Sequence, residues 1–231
     1  MRDARLQLHW AAQIPAGVGR TLIAQRADDS NTAFAWSAPR AAMMQEPVRG
    51  IEAGIRLRDL TLIANDDELP LRGRTLDEGF AFLESHFGAT LKRPNVDLPD
   101  HAVAHDAKFD PDPHDLATLA NHYASAAPIL EELHGTPVRC WPHHFDIATL
   151  LLLGGEKSVG AGLSPGDDGI RDPYWYVNLW PHPEPSRLPA LQLGSWNTAG
   201  WTGAVFPAAN GAERARQFVR EAVEHCRLLL S

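Results

Sequence analysis

Between Pro137 and Trp201 the chain reads PVRCWPHHFDIATLLLL, SVGAGLSPGDDG and DPYWYVNLWPHPE, and this stretch holds five of its seven tryptophans and three of its eleven histidines. If residues 138–149 form one strand, His144 and Asp146 share a face while Trp141, His143 and Phe145 share the other. A neutral imidazole and a carboxylate two residues apart can converge on one divalent metal ion. The third ligand then comes from WPHPE, which offers His182, with Glu184 two residues on. Without an ion, the same carboxylate can hold the imidazole tautomer for acid–base work. Tyr174 and Tyr176 alternate with Trp175, and with Trp180 nearby they supply large rings with polar handles, the composition of a concave ligand site.

Other motifs lose their chemistry in context. Gly162-Leu163-Ser164-Pro165-Gly166 matches G-x-S-x-G. A nucleophile elbow needs a helix after the serine and a backbone N–H from the next residue; Pro165 has none, and the chain continues as a turn and a strand. Turn formation explains Pro165, Gly166, Asp167, Asp168 and Gly169 without a nucleophile. The glycine pairs Gly17, Gly19 and Gly160, Gly162 lack the strand-to-helix context of a phosphate loop. Cys140 and Cys226 form no C-x-x-C pair and read as buried thiols.

Those residues need a scaffold. A chain of 231 residues, 44% of them hydrophobic and 22% charged, can bury one substantial core. Twenty-nine acidic against 21 basic residues give a net charge of -8, which argues against nucleic acid and anionic membrane partners. No basic-then-apolar leader opens the sequence, and its longest apolar run, Ile147–Leu153, is far shorter than the ~20 residues that span a bilayer. A cytoplasmic protein is the expectation.

The pattern along the chain predicts α+β: a mostly antiparallel sheet in two strand groups, packed by about four helices. Leu6, Trp10 and Ile14 recur at helical spacing, and the sequence predicts a short helix stopped by Pro15 and Gly17. TLIAQ, AFAWSA, AAMMQEPV, IEAGIRLRD and LTLIAN read as strands, with Ile51, Ala53, Ile55 and Leu57 on one face. Thr75 and Glu78 form a capping box before Leu76, Phe80, Leu83 and Phe87, and Gly88 ends that helix. Asp112 and Pro113 open a further helix that Pro128 should kink or divide. After strands reaching about Pro207, Asn210 with Glu213 starts the last helix. One domain over 1–231 is expected, with the loop 94–113 as the place for any subdivision.

The segments TPVRCWPHHFDIATLLLL, VGAGLSPGDD, PYWYVNLWPHP and SWNTAGWTGAV resemble those of a large group of uncharacterised bacterial proteins that share one domain of unknown function. The likeness runs from LHWAAQI to the last helix and implies a single domain, without bringing an activity, substrate or cofactor. Members of that group often carry a histidine and an acidic residue where this chain has Asn197 and Ala199, and distant members lack the pair at His143 and His144. The resemblance therefore implies no family-wide metal centre.

Three functions follow as expectations. The first is a small-molecule site, catalytic or not, with His144 and Asp146 as the polar pair among Trp141, His143, Tyr174, Tyr176 and Trp180. The second is a metal-dependent hydrolase or oxygenase using a divalent ion on His144, Asp146 and His182. The third is a non-enzymatic homo-oligomer that associates through its tryptophans and the apolar stripe of the last helix.

Overall fold

The computed structural model describes residues 1–94 and 97–231. The chain is α+β, with antiparallel strand pairing in both strand groups. It divides into two compact units: 1–124 with 139–145, and 125–138 with 146–231. The loop 94–113, in which Asn95 and Val96 lie outside the described residues, belongs wholly to the first.

The first unit opens with helix α1 (Arg2–Leu22), which runs straight past the expected stop and carries Pro15 inside it. The reason is burial. From Ala4 to Gly19 almost every residue is buried, including Leu6, Leu8, Ile14 and Val18. Hydrophobic burial on this scale outweighs the ~3 kcal/mol cost of an interior proline. The helix glycines serve close approach. A Cβ on Gly17 would lie 3.0 Å from a Phe80 ring carbon, and one on Gly19 would lie 2.0 Å from the Asn31 carbonyl oxygen. Because α1 continues to Leu22, the strand expected at TLIAQ does not form.

The sheet of this unit is built from β1 (Phe34–Ser37), β2 (Ala42–Gln45), β3 (Ala53–Arg56), β4 (Thr61–Ala64), β5 (Asp67–Pro70) and the two-residue β6 (Arg139–Cys140), in the order β6-β1-β2-β3-β4-β5. Four of these match expected strands. The polar β5 was not foreseen: it pairs with β4 and is largely exposed. Helix α2 (Leu76–Phe87) packs with α1. Both halves of its capping box are made, and Gly88 closes it in the left-handed conformation, as the sequence predicts. The next helix, α3 (Pro113–Glu131), is capped by the Asp112 carboxylate, which accepts from the N–H groups of His114 and Asp115 at 2.9 and 3.0 Å. It runs through Pro128 undivided.

The second unit holds the end of α3, strands β7 (Ile147–Leu152), β8 (Ser158–Ser164), β9 (Tyr174–Trp180), β10 (Ser195–Asn197) and β11 (Gly203–Pro207), and helix α4 (Ala212–Leu230). The strand order is β10-β11-β9-β8-β7. Alternation makes one face apolar, with Val159, Ala161, Leu163, Trp175, Val177, Leu179, Ala204 and Phe206 all buried. Helix α4 covers it, with Phe218 stacked on Phe206 at 5.3 Å between centroids. The cap of α4 is Gly211 rather than Asn210, whose amide donates to the Pro207 carbonyl instead. Arg216 and Arg220 of α4 both reach Glu132, just beyond α3.

Candidate functional site

The expected strand over 138–149 is interrupted. After β6 the chain turns through residues 142–144, and the Phe145 N–H donates to the Trp141 carbonyl at 2.7 Å. Phe145 takes φ 56° in the left-handed region, a rare conformation for a bulky residue, before β7 starts. The cause is visible in the contacts. Pro142 offers no N–H to a ladder, and its carbonyl accepts from His9 Nε2 at 2.8 Å and from Gln13 Nε2 at 2.6 Å, both on α1. The alternation that would put His144 and Asp146 on one strand face therefore has no strand beneath it. His144, with Trp141 and His143, belongs to the first unit, and Asp146 to the second.

In the first unit α1 presents a buried polar stripe at helical spacing: Arg5, His9 and Gln13. His9 stacks on Phe145 with centroids 5.5 Å apart and rings 17° from parallel. Its Nε2 must carry the proton, since a carbonyl can only accept. Burial pushes the imidazole down to about 4 against the pull of the Pro142 carbonyl, with Arg5 and His144 adding unfavourable positive charge. The Phe145 carbonyl in turn accepts from the buried Tyr123 hydroxyl. These bonds clamp the turn that carries His143 and His144.

One turn from the end of the same helix stands Arg20. Its guanidinium donates to Gln13 Oε1 at 3.1 Å, to the Gln13 carbonyl at 2.8 Å and to the Lys92 carbonyl at 3.4 Å. Three of its five N–H groups are thus engaged, all by neutral acceptors. Among the described residues no carboxylate lies within ion-pair distance of it. Burial pushes Arg20 down to about 10, so it stays cationic at neutral pH. It faces a cavity of about 190 Å³ lined by Gln13, Arg20, Gln25, Asp29, Thr32, Pro142 and His143.

The far wall is the loop after α1, and it is fixed rather than draped. The Asn31 carbonyl sits against Gly19 and accepts from the buried Gln45 amide at 2.9 Å. Asp29, at φ 54°, has its N–H on the Arg26 carbonyl and its own carbonyl on the Thr32 N–H and hydroxyl. Trp141 ties the other side, its Nε1 donating to the Asp28 carbonyl at 3.3 Å. Trp141 thus braces the loop from outside the cavity lining.

In the second unit Tyr174, Tyr176 and Asn178 lie on the face of the sheet opposite α4. Tyr176 donates its hydroxyl to Asp146, and Tyr174 donates to Asp167 at 2.6 Å. Burial, then the Asp167 hydrogen bond, pushes the Tyr174 phenol well above its ordinary range. The ring of Tyr176 lies over Gly162 and meets the edge of Trp201, 6.3 Å between centroids. Both phenols are matched to carboxylates, Gly162 to the Tyr176 ring and Gly160 to the Asn178 amide, as in a settled structural network. Trp180 is 53% exposed and pairs edge-on with His182 at the end of β9, apart from that network. Ser164 caps the next turn, accepting from the Gly166 N–H, and a strand follows it.

Among the described residues no three or more His, Cys, Asp or Glu side chains come together in a way that could hold a metal ion. No helix among them is long and apolar enough to cross a membrane. Both cysteines are buried, and burial pushes the Cys226 thiol up to about 12. Comparison with protein-family models, curated proteins and solved structures found no match.

Proposed function

We propose that the chain is a small-molecule-binding protein whose site is the first-unit cavity between α1, the loop 25–32 and the turn 141–143, and that Arg20 anchors a carboxylate on the ligand. The observation that carries this reading is a half-buried guanidinium held only by neutral acceptors at a cavity wall. Removing a cation from water without a counter-charge is unfavourable, and a ligand carboxylate on the two remaining N–H groups compensates it with charge-assisted bonds. Gln13 sets the geometry. Its amide N–H₂ is committed to the Pro142 and His9 carbonyls, which forces Oε1 toward Arg20.

The cavity is small. At about 190 Å³ it falls below the usual drug-sized range of roughly 300–1,000 Å³, so a metabolite of few heavy atoms fits it. His143 supplies an imidazole on the wall, and Pro142 an apolar patch. The test is a titration of small carboxylic acids into wild type and Arg20→Lys, with thermal melts of each. Lysine keeps the charge but loses the planar fork, so affinity should fall roughly 10- to 100-fold. Equal affinity in a folded Arg20→Lys protein would remove Arg20 from the site.

A further inference from the structure

Resting on that reading, we infer that the ligand is a small zwitterion of the α-amino-acid type, its carboxylate on Arg20 and its ammonium on Asp29. The cavity is lined by one permanent cation and one carboxylate, Arg20 and Asp29, and the two do not pair with each other. Asp29 accepts from the Gln25 amide at 2.5 Å through Oδ1. No cation among the described residues lies within ion-pair distance of it. A plain carboxylate bound at Arg20 would bring a second negative charge toward Asp29, and a phosphate would bring more. A simple amine would leave Arg20 uncompensated. A zwitterion satisfies both walls at once, and like-charge repulsion from each wall rejects the ligands that carry only one of its charges.

The rest of the lining narrows the side chain. Gln25, Thr32 and His143 are polar, and Pro142 is the one apolar residue in the wall. A short or polar side chain suits that surface and volume, whereas a large aromatic one does not. The rigidity of the Asp29 loop matters here, because backbone bonds to Arg26 and Thr32 fix the residue and the Gln25 amide holds its exposed carboxylate, so an ammonium is selected by position as well as by charge.

The test uses the full chain and matched pairs: L-alanine against propionate, L-serine against 3-hydroxypropionate, and L-glutamine against glutaramate, with ethylamine as the amine alone. Binding is followed by chemical-shift titration. At least one amino acid should bind roughly tenfold or more tighter than its deaminated partner, and ethylamine should not bind. In Asp29→Asn that advantage should vanish while binding of the deaminated acid holds or improves. Deaminated acids binding as well as their amino acids, or an advantage that survives Asp29→Asn, would overturn the zwitterion and leave the carboxylate site standing. If none of the acids binds, both readings fail. Should Asp29→Asn not fold, the wild-type comparison of the matched pairs decides by itself.

Discussion

His9 shows how a single side chain can make stability depend on pH. In the fold its imidazole is pushed down to about 4 from an ordinary 6.5. Between those values the unfolded chain binds the proton and the folded chain does not. Stability is therefore fully present above about pH 6.5 and falls with decreasing pH down to about 4, by up to roughly 3 kcal/mol in all. Urea titrations at pH 7.5 and 4.5 should show this loss, and His9→Gln should shrink the difference between the two, since carboxylate protonation is common to both proteins. Gln13 gives a second residue-scale expectation. Gln13→Met fills a similar volume but strips the Pro142 carbonyl of one donor and Arg20 of one acceptor, and should cost about 1–3 kcal/mol in the same assay. It should also weaken carboxylate binding, because Arg20 is no longer aimed.

At the scale of elements, α1 decides the most. Glycine to alanine in a helix interior ordinarily gains up to about 1 kcal/mol. At Gly19 the sign reverses, because the new methyl group would meet backbone at Asn31 and backbone cannot swing aside as a side-chain end can. Gly19→Ala should lower stability by about 2 kcal/mol and displace the Asp29 loop, so that ligand affinity falls in a protein that still folds. Gly50, where a Cβ would meet nothing, is the control for crowding, though its φ of 76° keeps some strain in any replacement. The turn at Phe145 depends on a different prop. Tyr123→Phe removes a hydroxyl that donates to the Phe145 carbonyl and should cost about 1–2 kcal/mol, measured by thermal or chemical unfolding.

Taken over the whole molecule, the sequence made local signals legible and long-range ones obscure. The α2 capping box and its closing glycine, the strands at Phe34, Ala42, Ala53 and Thr61, and the apolar face of α4 were all readable, because each is written in neighbouring residues. Pro15 and Gly17 misled, because the burial that sustains α1 through them is tertiary. The site was half legible. His143 and the aromatic segments stood out as composition, but Arg20 lay beyond the expected end of the first helix, and Arg5, His9 and Gln13 read as the polar side of that helix. Only packing reveals that this polar stripe is buried. The turn at residues 142–144 was hidden for the same reason, since α1 holds it from more than a hundred residues away.

Strand β5 has one more consequence. It is the outermost strand of the first unit's sheet, and it presents exposed Asp67 and Glu68 and ends on Pro70. An open edge is a template on which another copy can add a strand, and growth of that kind leads to fibrils. Charged side chains, Glu68 on Arg56 and Asp67 on His86, keep that edge polar, and a proline removes one of the N–H groups that such growth needs. Asp67→Thr combined with Glu68→Val and Pro70→Val would turn a guarded margin into a sticky one. Thioflavin fluorescence and light scattering should then rise with protein concentration in the triple variant and stay flat in the wild type.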